Sequence, residues 1–222
     1  MPKMTGSLCM KKRLFFPLAC GAALGLLIVS GLSCFSCIFY PESTTVQGLP
    51  TTESEFKSYI TPECPWVQGT LQGILGGSPY EPSQVGFDDI RDWVATNIDY
   101  MSDEEEWGVE EYWQTPEETL RLGTGDCEDF VVLLCSLLRV YGIDAEQVYV
   151  ALSVDVDDEN GHAFLIEDWY HDGEWWRIES QAPPWRPEFG PPKAHPDSEL
   201  YEYEISAAFN DLYYYDESFP WD

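Results

Sequence analysis

Positive charge is scarce in this sequence. Its 222 residues hold 11 lysines and arginines against 40 aspartates and glutamates, a formal net charge of −29. Four of the cations, Lys3, Lys11, Lys12 and Arg13, lie in the first forty residues, where there is no acid; everything beyond residue 40 therefore carries 7 cations against all 40 acids, a charge of −33. A field of that sign repels phosphate backbones and anionic headgroups, which argues against nucleic acid as a partner. It suits cations, either as counterions on a solubilising surface or as a cationic substrate segment. Cysteine is also sparse beyond residue 40. Of 7 cysteines, Cys9, Cys20, Cys34 and Cys37 fall in the leader, leaving Cys64, Cys127 and Cys135. An odd number leaves at least one thiol unpaired, and the lack of CxxC pairs there argues against zinc.

One segment lacks charge of either sign. Residues 14–40, "LFFPLACGAALGLLIVSGLSCFSCIFY", follow the basic stretch 1–13, a pattern that fits a signal sequence or a membrane-spanning helix with its positive end in the cytoplasm. Its length favours the span; "SGLSC" offers the alternative of a lipoprotein modified at Cys34. Either arrangement puts the rest of the chain outside the cytoplasm at the cell membrane. Residues 41–52, polar and without apolar period, form a linker, and residues 53–222 form the domain.

Within the domain, the Gly- and Pro-rich stretch "PECPWVQGTLQGILGGSPYEPSQ" allows no assignment beyond short helical pieces. "GFDDIRDWVATNIDYM" sets Phe87, Ile90, Trp93, Val94, Ile98 and Met101 at helical spacing. "TPEETLRLG" has Thr115 as N-cap, Pro116 at the first helical position, Glu118 to complete a capping box and Gly123 as stop. A third helix starts at "GDCED", with Asp126 as N-cap and Asp129 returning the contact; it is apolar on all sides from Phe130 to Tyr141 and stops at Gly142. The β-branched "EQVYVALSVDV", then "HAFLIEDWY" and "WWRIESQ", read as three consecutive antiparallel strands. The tail reads as an extended crossing followed by a strand or short helix packed on the domain.

The third helix carries Cys127 in its first turn, where the helix dipole favours a thiolate. Asp126, Glu128 and Asp129 oppose it, and an imidazolium nearby is the natural compensation. Of the three histidines, His171 sits in a polar turn and His195 in a Pro-rich crossing, whereas His162 begins a strand. Glu179, on the adjacent strand, is placed to accept from the imidazole. Cysteine, histidine and acid then serve as nucleophile, base and orienting group. Cys135, deep in the apolar helix, reads as core, and its pairing with Cys64 is an open alternative.

"TPEETLRLGTGDCEDFVVLLCSLLRVYGI" followed by "GHAFLIEDWYHDGEWWRIES" resembles the transglutaminase-like superfamily, and in its "GDCED" form the bacterial and archaeal transglutaminase-like cysteine proteases. The resemblance covers residues 87–181 and implies an α+β, papain-like fold in which a buried helix bearing the cysteine packs on an antiparallel sheet. It implies Cys127 as nucleophile, His162 as general base and Glu179 as third member, where the family usually has Asp. It further implies oxyanion stabilisation by the backbone N–H of Cys127 with an upstream side chain, Trp113 or Gln114. The chemistry needs no cofactor, although in some such proteins acids flanking the nucleophile bind calcium; here Asp126, Glu128 and Asp129 are the corresponding residues, together with the "DVDDEN" turn, and capping is the plainer use for them.

The expectation is thus a membrane-anchored cysteine protease or amidase acting on a protein or peptide substrate. Two alternatives stand beside it: an acyltransferase that crosslinks glutamine to an amine, and a membrane-tethered binding module of the same fold without turnover. A calcium-dependent surface adaptor is a variant of the latter.

Overall fold

The structure is a computed structural model and describes residues 49–155, 161–169, 175–181, 193–194 and 203–216. The leader with Cys34, the linker before residue 49, His171, His195 and the 156–160 turn lie outside the described residues. Among the described residues, no helix is long and apolar enough to cross a membrane.

Six helices are described: α1 (Glu53–Tyr59), α2 (Pro65–Leu75), α3 (Gln84–Asn97), α4 (Asp103–Glu106), α5 (Pro116–Leu122) and α6 (Cys127–Tyr141). Two short strands, β1 (Asp99–Tyr100) and β2 (Thr124–Gly125), pair in parallel. Six more, β3 (Val148–Asp155), β4 (Gly161–Glu167), β5 (Trp176–Ile178), β6 (Lys193–Ala194), β7 (Tyr203–Phe209) and β8 (Tyr214–Tyr215), form an antiparallel sheet in the order β6-β5-β4-β3-β7-β8.

The helix caps follow local chemistry. Thr115 accepts from the Glu118 N–H at 3.3 Å while the Glu118 carboxylate accepts from the Thr115 N–H at 2.8 Å, and Gly123 closes α5 in the left-handed conformation at φ 74°. Gly142, at φ 106°, stops α6 in the same way. The α3 helix starts earlier than its apolar spacing suggests, at Gln84 with Ser83 as N-cap, and ends at Asn97, so Met101 lies beyond it. Ser83 accepts from the Gly86 N–H to start it, and at Gly86 the Tyr141 ring lies against the first turn, where a Cβ would collide with the phenol.

Helix α6 is buried along its whole apolar stretch, with Phe130 to Leu138 inside. It packs on α2, α3 and α5 on one side and on β3 and β4 on the other. Burying Leu133, Leu134, Leu137 and Leu138 contributes roughly 2 kcal/mol each by removal of apolar surface from water. The C-terminal strand β7 pairs with β3 rather than adding to the outer edge, and buried Asn210 bonds Ala145 and Val148 carbonyls while accepting from Leu212 and Tyr213. This layered arrangement puts the first turn of α6 against β4.

Candidate active site

Cys127 is the first residue of α6, which packs on β4, and the Ala163 N–H of that strand favours its thiolate. Ala163 adjoins His162, so the thiol meets the strand one residue from the imidazole, about 3.8 Å along the backbone. The Cys127 thiol also donates to Glu128 Oε2 at 3.3 Å. Burial pushes the thiol up, and Glu128 and Asp126 act in the same direction; the Ala163 N–H pulls against them without reversing it. The expected advantage of a helix N-terminus is therefore outweighed, because the acids of "GDCED" sit at the same end of the helix as the thiol.

His162, the second residue of β4, pairs with Ser153 of β3, whose hydroxyl donates to the His162 carbonyl at 2.8 Å. Its Nε2 lies 3.0 Å from Oε2 of Glu179, which directly follows β5. Burial alone would push the Glu179 carboxyl up, but the hydrogen bond and charge of His162, then Arg177, outweigh it and the carboxyl lies below the usual range. An ionised Glu179 can only accept, which puts the imidazole proton on Nε2 and its lone pair on Nδ1. The structure thus brings His162 and Glu179 into contact and sets Cys127 against the next residue of the same strand.

Trp113 and Gln114 lie at the other end of the cluster. The Trp113 ring packs among Phe56, Tyr59 and Phe209, and its Nε1–H donates to Glu111 at 2.9 Å. Gln114 is buried; its side-chain nitrogen donates to Glu106 and its backbone N–H donates to Asp129 Oδ1 at 2.8 Å. Both side-chain donors are therefore engaged with carboxylates in this structure.

The three acids of the motif differ in their surroundings. Asp129 is held by backbone, accepting from Gln114 through Oδ1 and from the Asp126 N–H through Oδ2 at 3.3 Å. Burial pushes it up to about 8. Asp126 and Glu128 each keep one buried oxygen, Oδ1 and Oε1, with no partner among the described residues, and burial pushes both carboxyls up. Sequence reading missed a fourth member, Asp103, buried at the start of α4, accepting from the Tyr112 N–H and pushed up by burial to about 6. Asp103, Asp126 and Asp129 present carboxylate oxygens within 4.8 Å of one another, as do Asp103, Glu111 and Glu128. Unpartnered carboxylate oxygens gathered from several acids fit a hard dication, which prefers several oxygen ligands. In sequence Asp103 is one of four consecutive acids, and local pattern does not separate it from its solvated neighbours.

Residues 77–180 match the model of the transglutaminase-like superfamily. Over that stretch, a little under half its length, the chain is similar to this superfamily. Its fold is accordingly α+β, with the helix bearing Cys127 packed on the antiparallel sheet. Among solved structures, Legionella pneumophila LapG is similar in three forms. The calcium-bound form has a TM-score of 0.51 at 15% identity, covering 75% of this chain and 81% of LapG. The EGTA-treated form gives 0.54 at 14%, covering 75% and 86%, and a third gives 0.54 at 14%, covering 75% and 88%. Identity at this level speaks for the shared fold. No curated protein matches in sequence.

Proposed function

We propose that this transglutaminase-like protein is a cysteine hydrolase, a protease or amidase, in which Cys127 is the nucleophile, His162 the general base and Glu179 the orienting acid. The observation that carries the reading is the His162–Glu179 contact at 3.0 Å at the head of the strand on which the helix begun by Cys127 packs.

With the imidazole proton on Nε2 and directed at Glu179, Nδ1 is the basic nitrogen. Because burial keeps the thiol protonated, its proton leaves as the sulfur attacks the carbonyl carbon and passes to Nδ1. The tetrahedral intermediate collapses with cleavage of the C–N bond, and His162 returns that proton to the departing amine. Water then attacks the thioester, giving its proton to His162, and the carboxylic acid leaves as the thiol re-forms. The N–H groups of the first turn of α6, Cys127 included, point outward at the helix N-terminus and suit the developing oxyanion.

Calcium would be held by Asp126 and Glu128, with Asp103 and Asp129 beside them; the calcium-bound form of LapG has the same fold. Its contribution would be positive charge next to the thiol, cancelling the two acids that oppose ionisation. The acidic rim, with Glu104 and Glu110 beside Asp103 and Asp126 around a cavity of about 530 Å³, suits a cationic substrate segment. The uncharged run 14–40 would tether the domain to the membrane, its bulk extracytoplasmic.

The test is cleavage of a protease-generated peptide library by the purified chain with calcium, read by mass spectrometry. Cleavage absent in Cys127→Ala and His162→Ala supports the reading. Library cleavage that persists in Cys127→Ala, or none in the wild type together with alkylation of Cys127 at the same rate in His162→Ala, removes it. Incorporation of a fluorescent primary amine into a glutamine peptide would move the assignment to acyl transfer.

A further inference from the structure

Four side chains on one face of two neighbouring strands close into a ring of contacts. His162 Nε2 and Arg177 Nη2 approach the same oxygen of Glu179, Oε2, at 3.0 and 2.9 Å. The Arg177 guanidinium lies 4.3 Å above the centroid of the Phe164 ring, and that ring is 6.0 Å from the His162 imidazole. The register explains the closure. Arg177 pairs with Ile166 across β4 and β5, so strand alternation sets Arg177 and Glu179 on the same side as His162 and Phe164.

We propose that Arg177 is a positioning residue for the site, holding Glu179 in the orientation from which it fixes the tautomer of His162. The proposal rests on the triad reading given above. Glutamate has one more rotatable bond than the aspartate usual at this position, and an unrestrained longer side chain loses more entropy in meeting the imidazole. A guanidinium is planar and delocalised, so it can stack on an aromatic face and donate in its own plane at once, which a lysine cannot do. Phe164 sets the plane and Arg177 sets the carboxylate. Glu179 Oε1 has no partner among the described residues, so the described hydrogen bonding of this acid converges on the oxygen that serves His162.

Burial strengthens the argument. Arg177 is 6% exposed and Glu179 5%, and a charge pair removed from water survives only with good mutual geometry. Among the described residues the charged groups facing Glu179 are His162 from β4, Arg177 from β5 and Arg91 from α3, whose guanidinium interacts with Glu179 through space. Arg91 instead donates to Asp92, so the hydrogen bond that orients the carboxylate comes from Arg177.

The experiment compares the full-length wild type with Arg177→Met, Arg177→Lys and Glu179→Gln, using His162→Ala for assignment. Histidine is labelled with 15N, and the His162 tautomer is read by NMR at pH 8 beside the rate of Cys127 alkylation by iodoacetamide. Wild type should show the Nε2–H form. Arg177→Met and Glu179→Gln should both mix the tautomers and slow alkylation roughly tenfold, with Arg177→Lys in between; a residue needed only for folding would not be partly rescued in the tautomer ratio. The proposal is overturned if Arg177→Met keeps the wild-type tautomer and rate while Glu179→Gln loses them. If Arg177→Met does not fold by circular dichroism, Arg177→Lys decides, and an unchanged tautomer and rate overturn the proposal. Should His162→Ala and Glu179→Gln alkylate like wild type, the triad reading itself fails and takes this one with it.

Discussion

Cys127 and Glu128, adjacent in the chain, are also hydrogen-bonded to each other, the thiol donating to Oε2 at 3.3 Å. The thiol thus shares its proton with an acid from the cluster that would hold a cation. Occupancy of that cluster and reactivity of the thiol are therefore linked. Adding calcium to the EGTA-treated protein should raise both Tm and the alkylation rate of Cys127, and Asp126→Asn with Glu128→Gln should remove both responses. Scanning calorimetry and iodoacetamide kinetics on the same samples measure this; a Tm that ignores calcium counts against the site.

Asp129 should behave differently from its two neighbours. Its oxygens, on a residue 1% exposed, accept from the Gln114 and Asp126 backbone N–H groups, so Asp129→Ala leaves both donors without an acceptor. A loss of roughly 2–4 kcal/mol is expected, with or without calcium, since each buried unsatisfied group costs about 1–3 kcal/mol. Urea unfolding in EGTA isolates this cost from any effect on cation binding.

The raised acids make stability depend on pH. Asp103 and Asp129 bind protons more tightly when folded, at about 6 and about 8, than in the unfolded chain at about 4. Their stabilising contribution is complete below the unfolded value and is lost as pH rises through the folded ones. Without calcium, Tm should fall between pH 5 and pH 8. A tenfold difference in proton affinity is about 1.4 kcal/mol, which in a domain of this size moves Tm by roughly 3–5 °C. Calorimetry across that window in EGTA checks the direction, and calcium should flatten the slope. A Tm rising towards pH 8 in EGTA would contradict the burial of these acids.

Gly125 leaves no room for a side chain. A Cβ there would lie 2.7 Å from the Asp129 Cβ and 2.9 Å from its Oδ2. Gly125→Ala should shift the start of α6, cost about 1–3 kcal/mol by overpacking, and slow Cys127 alkylation. Gly86→Ala, which meets Tyr141 at the far end of the helix layer, should destabilise comparably while leaving alkylation of the folded protein unchanged. Cys135, fully buried and with its thiol pushed up by burial, should resist the reagent in both.

Much of this was written in local chemistry. The Thr115–Glu118 capping box, the apolar circumference from Phe130 to Leu138 and the stop at Gly142 are short-range signals, and each appears where its residues require. Three antiparallel strands, a cysteine at a helix start and a His–Glu contact across adjacent strands follow from turn spacing and alternation. What escaped depends on distant partners. The two-residue pairing of β1 with β2 is too short to leave a periodic trace, and α1 and α2 are helices because their apolar faces, Tyr59, Val67 and Leu71, find the core. Asp103 is buried by the fold around it, and Arg177 looks like any strand cation until the register puts it over Phe164. The insertion of β7 beside β3 joins segments some fifty residues apart.

That insertion bears on how the protein is made. The thiol of Cys127 emerges from a ribosome well ahead of β4 and β5, and β3 has one edge unpaired until β7 has followed. Vectorial synthesis therefore delivers Cys127 first and the strand that completes the sheet beside β3 much later. Until the strand that completes the sheet arrives, β3 keeps an open edge, so the order of the strands sets when the domain can close.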